Sequence, residues 1–282
     1  MKADMILWLL LAAISVYSLL LLRSVDSSTG SSYFRTQLVA IVLGVVGAVI
    51  LSLLDYATLA NFWYLLGGAS IFLMIYTALF GDQVLGSGGV NARAWIQIGG
   101  STFQTSEAVK IAFILTFSKH LDTLRKREWI NRPLHVVLLG CHALVPMLLC
   151  ELQGDTGAAI VFFSMFLAMS LAAGVKLRYF AILGGLVLIA LPLLWQFGMD
   201  EYQKLRFIAL FNLDDPNIRM DAGYQQYQGR ISIGSGKLTG QGLFHGSRVA
   251  SNSVPFQQSD YIFSVAGEEL GFVGCSLILL LL

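Results

Sequence analysis

Charge is scarce in this sequence. Lys, Arg, Asp and Glu make up 12% of its 282 residues, where a soluble domain carries about 25%. With 56% hydrophobic residues and a mean hydropathy of +0.71, the chain lacks the polar surface to clothe a globule in water. The net charge of +1 supplies no positive field for nucleic acid. Cysteine is scarce too. Cys141, Cys150 and Cys275 lie in or beside apolar stretches without C-x-x-C spacing, which favours small packing residues over a metal or redox centre. No cleavable leader is evident, because the apolar run 5–22 is too long for one and no small-residue cleavage site follows it. A phosphate-binding loop is missing as well. The run from Gly229 to Gly246 has Ile231 and Leu238 where G-x-x-x-x-G-K-[ST] needs glycine and Ser or Thr, and Thr239 where G-x-G-x-x-G needs its last glycine. Those glycines turn the chain or bring backbone N–H groups to an anion.

What is there is hydrocarbon length. Crossing about 30 Å of bilayer core takes about 20 mostly apolar residues in a helix. Eight stretches qualify, near 5–22, 37–54, 62–80, 106–121, 134–150, 156–174, 179–197 and 260–282. The expected fold class is all-α, a polytopic transmembrane bundle. The span 106–121 is the weakest, since Glu107 and Lys110 stand in its first turns. The last runs out in leucines at Leu282 with no polar flank, so the natural chain is expected to continue. Lys2, Lys119, Arg125, Lys126, Arg127, Arg132, Lys176 and Arg178 fall on one side of the membrane, against Arg23, Arg35 and Arg93 on the other. Lys and Arg collect in short cytoplasmic loops, so the N-terminus is expected in the cytoplasm and the long loop 198–259 outside. On this reading Arg125, Lys126 and Arg127 are a topology signal in contact with lipid headgroups, not a binding site. The outward segments 81–105 and 198–259 are too rich in aromatics, Arg and Gly to be plain connectors, and loops of such length are usually functional or disordered.

Ionisable side chains inside spans carry the functional signal, because each costs about 2.5–3.5 kcal/mol at the bilayer centre on insertion scales. Glu107 and Lys110 are spaced i, i+3 and can pair on one helix face. They either sit near the interface or line a polar cavity. Asp155 opens a span, where a carboxylate suits the helix dipole. Glu268 and Glu269 interrupt the last span and need a polar interior. His135 and His142, seven apart, lack further metal ligands and read as core residues.

The strings N-A-R-A-W-I-Q-I-G with F-Q-T-S-E-A-V-K (91–110), Q-G-D-T-G-A-A (153–159), R-F-I-A-L-F-N … G-Y-Q-Q-Y-Q-G-R-I-S-I-G-S-G-K-L-T-G-Q-G (206–242) and V-P-F-Q-Q-S-D-Y-I-F-S-V-A-G-E-E-L-G (254–271) are collinear with those of a known family. With Asp55 and Tyr56, they cover nearly the whole chain. The sequence resembles the SEDS family of shape, elongation, division and sporulation proteins. That family has ten spans, so the resemblance implies a single membrane domain over 1–282, two spans short at its C-terminal end, with 198–259 as its large extracytoplasmic loop.

The implied activity is polymerisation of lipid II, the undecaprenyl-pyrophosphate-linked disaccharide peptide, on the outer leaflet of a bacterial plasma membrane. Asp260 matches the family's catalytic aspartate and would be the general base. Arg206, Arg230 and Lys237 are candidates for the pyrophosphate, Arg93 and Trp95 for the sugar or headgroup, with Glu107, Lys110, Asp155, Gln225 and Ser235 as further substrate-binding candidates. A divalent cation, Mg²⁺ or Mn²⁺, is a possible cofactor, with no organic cofactor. The implied partner is a class B penicillin-binding protein, beside membrane lipids and without nucleic acid. Thr105, Gly154, Phe256, Gln258, Gly229 and Lys237 depart from the family pattern, and the missing acid at 256 weakens a metal role there. A precursor transporter or a scaffold for the transpeptidase are the alternatives.

Overall fold

The computed structural model describes residues 5–53, 55, 61–85, 91–98, 101–199 and 201–282. Lys2, Tyr56 and Gly99, used above for topology and motifs, lie outside these. The chain divides into two compact units, Leu51–Gly198 and a second made of Met1–Ile50 with Met199–Leu282.

The first unit holds α3 (Trp63–Phe80), a three-stranded antiparallel sheet, α4 (Thr105–Lys126), α5 (Pro133–Leu152), α6 (Thr156–Ala173) and α7 (Leu177–Leu193), which runs into a π turn at Leu194–Gly198. The sheet is β1 (Asp82–Leu85), β2 (Asn91–Ile98) and β3 (Ser101–Gln104), with Trp95 opposite both Asp82 and Gln104. It gives form to the segment that the sequence marked as more than a connector.

Local chemistry sets the helix ends. Pro133 starts α5, where its missing N–H costs nothing. Asp155 caps α6 by accepting from the Ala158 N–H at 3.0 Å, and Gly174, at φ 91°, ends it. Pro192 removes a hydrogen bond just before α7 loosens into its π turn.

Seven helices among the described residues are long and apolar enough to cross a membrane. They correspond to seven of the eight expected spans. α4 is the exception, with Glu107, Lys110, Lys119 and Asp122 along its first five turns. Its buried Val109, Phe113, Phe117, Leu121 and Leu124 recur every three or four residues, a single packed stripe. Phe113 stacks on Phe117 at 5.0 Å and meets Phe162 of α6 edge-on at 5.4 Å. Lipid tails are as apolar as these side chains, so dispersion and fit hold such helices together in place of the hydrophobic effect. His142 sits edge-on to both phenylalanines and faces His120 across 3.2 Å, while His135 packs on Trp129. The two histidines of α5 are therefore apart, each with its own neighbours.

The second unit holds α1 (Met5–Thr29), α2 (Tyr33–Leu53) and α12 (Ile262–Leu281), with four shorter helices between, α8 (Glu201–Ala209), α9 (Pro216–Met220), α10 (Tyr224–Ser235) and α11 (Ser247–Ala250). The long segment 198–259 is thus largely helical. α1 outruns the expected span by two turns, through polar residues that all find work. Asp26 accepts from the Tyr33 and Phe34 N–H groups at 3.0 and 2.9 Å and so starts α2, and Ser24 donates to Glu269 at 2.5 Å.

α12 is not one helix. Gly271 breaks it at φ 67°, ψ −161°. The carbonyls of Glu268 and Glu269 accept instead from the Gln241 and Gly242 N–H groups, both at 2.9 Å, and the Phe272 and Val273 N–H groups donate to Lys237 and Leu238 at 2.9 and 3.2 Å. Residues 237–242 thereby supply four backbone bonds around the break, which is how an apolar span tolerates irregular backbone. Close approach requires glycine on both sides. A Cβ on Gly236 would lie 1.9 Å from the Gly267 carbonyl oxygen, and one on Gly240 2.1 Å from that of Glu269. The glycine-rich run is a docking strip for the last helix. Neither reading of it made from sequence named that role.

Candidate functional site at the mouth of the last helix

The segment before α12 makes a tight turn. Phe256, at φ 58°, accepts from the Ser259 and Tyr261 N–H groups at 3.1 and 3.3 Å. Gln257 is buried beneath it and donates to the Val249 carbonyl at 3.1 Å. Tyr261 lies on α10 where Gly229 leaves room, since a Cβ there would stand 3.1 Å from the ring. Between these anchors Asp260 is exposed. It does not cap α12. The N-cap is Tyr261, with no side-chain cap bond, and the Asp260 carboxylate makes no hydrogen bond or ion pair among the described residues.

Arg206 of α8 belongs to the same mouth. Burial pushes the Tyr261 phenol up from its ordinary pKa, the Arg206 charge opposes that, and Asp260 adds to it. Tyr261 therefore stands within the fields of a cation and a carboxylate. Sequence reasoning passed over it as part of the motif, although a tyrosine beside the candidate base at a span's start was the available signal.

The other expected residues of this unit are less concentrated. Gln225 is half-buried on α10. Arg230 is exposed and approaches Asp214 only to 3.9 Å. Ser235 donates to the Ser232 carbonyl at 2.7 Å and accepts from Gln241 at 3.0 Å. Lys237 is exposed at φ 51°, and its carbonyl serves the helix break.

Beneath the mouth lies a polar interior that had been required but not located. Glu268 and Glu269 are 0% and 1% exposed. Glu268 accepts from the Arg248 N–H at 2.7 Å, and Glu269 from Ser24 and from the Gly246 N–H at 3.4 Å. The Arg248 guanidinium reaches Ser232 at 3.0 Å and also Gln228. Arg248 and Ser24 were missed because no local pattern links them to residues 20 and 245 positions away.

In the other unit, Glu107 and Lys110 do pair, at 2.7 Å. The Glu107 side chain is 57% exposed, so the pair sits at the edge of the unit's packing. Such pairs are worth about 0–1 kcal/mol. A Glu107→Gln, Lys110→Met double-mutant cycle read by thermal unfolding is expected to give coupling no larger than that. A coupling of several kcal/mol would mean that the pair is buried against something else. Asp155 is fully engaged, accepting from Ala158 and, at 2.6 Å, from Gln104 at the end of β3. Arg93 is exposed, its backbone N–H bonded to the Gln153 carbonyl at 2.9 Å, and Trp95 is half-buried in β2.

The match to known proteins is now decisive. A family model for the FtsW, RodA and SpoVE cell cycle proteins covers residues 1–282. This chain belongs to that family. It is 30% identical over 282 residues to the peptidoglycan glycosyltransferase MrdB of Escherichia coli K12, covering 99% of this chain and 72% of that one. It is 29% identical over 289 residues to a probable peptidoglycan glycosyltransferase FtsW of Geobacter sulfurreducens, covering 98% and 74%. Among solved structures it resembles a chain from a peptidoglycan synthase complex that coordinates polymerisation and crosslinking, with a TM-score of 0.77 and 26% identity over 100% of this chain and 75% of that one. The Thermus thermophilus rod shape determining protein RodA is similar at a TM-score of 0.65 and 25% identity, over 100% and 72%. Membership of the SEDS family and a multi-pass membrane fold follow together.

Proposed function

We propose that this protein is a peptidoglycan glycosyltransferase that polymerises lipid II into glycan strands, with Asp260 as general base. The observation that carries this reading is an exposed carboxylate, fixed at the start of a span, that does not cap its helix and pairs with no cation among the described residues. Its supports are the family and the similarity to proteins named for this activity.

In the reaction, the acceptor GlcNAc 4-hydroxyl gives its proton to Asp260. Its oxygen forms the new bond to C1 of the donor MurNAc, on the face opposite the leaving group. The C1–O bond to pyrophosphate breaks, and its electron pair departs on undecaprenyl pyrophosphate. Negative charge grows there as the bond opens, so a nearby cation stabilises the transition state more than the ground state. Arg206 is the first candidate, with Arg230 and Lys237 as further ones. Among the described residues no three of His, Cys, Asp and Glu converge as a cation cage, so these side chains alone do not make a closed divalent site. Mg²⁺ or Mn²⁺ would come with the pyrophosphate oxygens of the substrate, as Mg²⁺ often does.

The direct test is lipid II polymerisation by the purified full-length protein with its cognate class B penicillin-binding protein, the partner suggested by the likeness to a synthase complex. Glycan ladders on a gel are expected. Lipid II crossing the bilayer without ladder formation would favour the transporter reading instead. The chemistry requires Asp260 at the outer leaflet, which agrees with the bias of Lys and Arg and puts the N-terminus in the cytoplasm. A cysteine placed at the exposed Ser251 of the same loop should therefore react with an impermeant thiol reagent in intact cells. Labelling only after permeabilisation would reverse the orientation.

A further inference from the structure

The basic corner between α4 and α5 is more than a run of charge. Asn131 ties it to the turn between α6 and α7 with three bonds. Its amide donates to the Gly174 carbonyl at 3.3 Å, its side-chain oxygen accepts from the Lys176 N–H at 2.8 Å, and its carbonyl accepts from the Tyr179 hydroxyl at 2.7 Å. Two short loops, 127–132 and 174–176, are thereby held as one surface at the end of the helices opposite the sheet. It gathers Arg125, Lys126, Arg127, Arg132, Lys176 and Arg178 against two carboxylates, Asp122 and Glu128. Asp122 is taken by Lys126 at 2.7 Å, and among the described residues none of the five other cations has an acidic partner. Arg127 and Arg132 each stand 5.2 Å from the Trp129 ring centroid, and Arg178 4.8 Å from that of Tyr179.

Trp and Tyr favour the level of the lipid headgroups. Cations stacked on such rings keep their charge and are already oriented, so little entropy is lost when they meet an anion. Arginine's planar fork matches phosphate oxygens two at a time. We propose that this corner is a binding site for an anionic phospholipid, whose headgroup phosphate is held by Arg127, Arg132 and Arg178, with Trp129 and Tyr179 at the glycerol level. This goes beyond a topology signal, which requires charge but no tie between loops. It is independent of the reaction proposed for Asp260.

The test is native mass spectrometry of the full chain released from nanodiscs of equal parts phosphatidylglycerol and phosphatidylcholine. Wild-type protein should retain phosphatidylglycerol selectively. Arg127→Gln with Arg132→Gln should lower that selectivity about thirty-fold, as expected for two basic side chains at an anionic surface, while Arg35→Gln at another site leaves it unchanged. Arg178→Gln, on an exposed side chain, should lower it several-fold and serves if the double variant is not recovered folded. Asn131→Ala keeps every charge and should still weaken retention. Excess inorganic phosphate should not displace the lipid. Equal retention of the two lipids, insensitivity to the arginine variants, or full displacement by inorganic phosphate would each overturn the proposal.

Discussion

Asp260→Asn should cut glycan polymerisation by about 10²–10⁴-fold, the range that general base catalysis supplies, and leave thermal stability almost unchanged. Asparagine has the shape of aspartate and serves helix caps about as well, but its amide does not take a proton at neutral pH. A capping role is in any case absent here, because the N-cap of α12 is Tyr261 without a side-chain bond. The carboxylate is exposed, so its replacement leaves no buried group unpaired. Activity and stability should therefore separate cleanly. Gel analysis of glycan strands and unfolding in detergent, measured on one preparation, read the two. A variant that still makes strands at near the normal rate removes Asp260 from the chemistry.

Gly236→Ala should be strongly destabilising. Its Cβ would fall 1.9 Å from the Gly267 carbonyl oxygen and 2.7 Å from that of Glu268. Backbone atoms on both sides leave no side chain to swing away. The glycine itself has an ordinary φ of −78°, so the cost is contact and not local strain. Overpacking of this kind costs about 3 kcal/mol. Gly234→Ala, two residues earlier on α10, meets nothing within 4 Å and should stabilise by about 0.5–1 kcal/mol, as alanine usually does in a helix. Opposite shifts in unfolding temperature are the expected result. Equal shifts would mean that residues 236–242 do not dock on α12 as described.

Much of the fold was legible because hydrocarbon length is a local property. The stretches at 62–80 and 156–174 reappear as Trp63–Phe80 and Thr156–Ala173 with little change. The seven turns of α1 were under-read since Arg23 to Thr29 look like a loop until Asp26 and Ser24 find partners elsewhere in the chain. The break at Gly271 was hidden for the same reason. An apolar run reads as a helix whether or not a distant strip replaces its hydrogen bonds. The motif that carries Asp260 was readable as a string, but its release from capping is a matter of geometry. Arg248 shows the limit most clearly. It stands in no pattern, yet its backbone and guanidinium join α12, α11 and α10.

The Ser24–Glu269 bond also dictates an order of assembly. Its partners are 245 residues apart, so α1 enters the bilayer long before the ribosome reaches the helix that completes it. Until then Ser24 must stay near the water interface, where its hydroxyl can be solvated, whereas Asp26 finds its partners as soon as α2 begins. Closure of the first helix on the last is a late, long-range step, of the kind that loop entropy makes slow. Substitutions at Ser24 should therefore appear first as slower maturation in a pulse-chase, with protease-sensitive chains accumulating, before any loss in the finished protein.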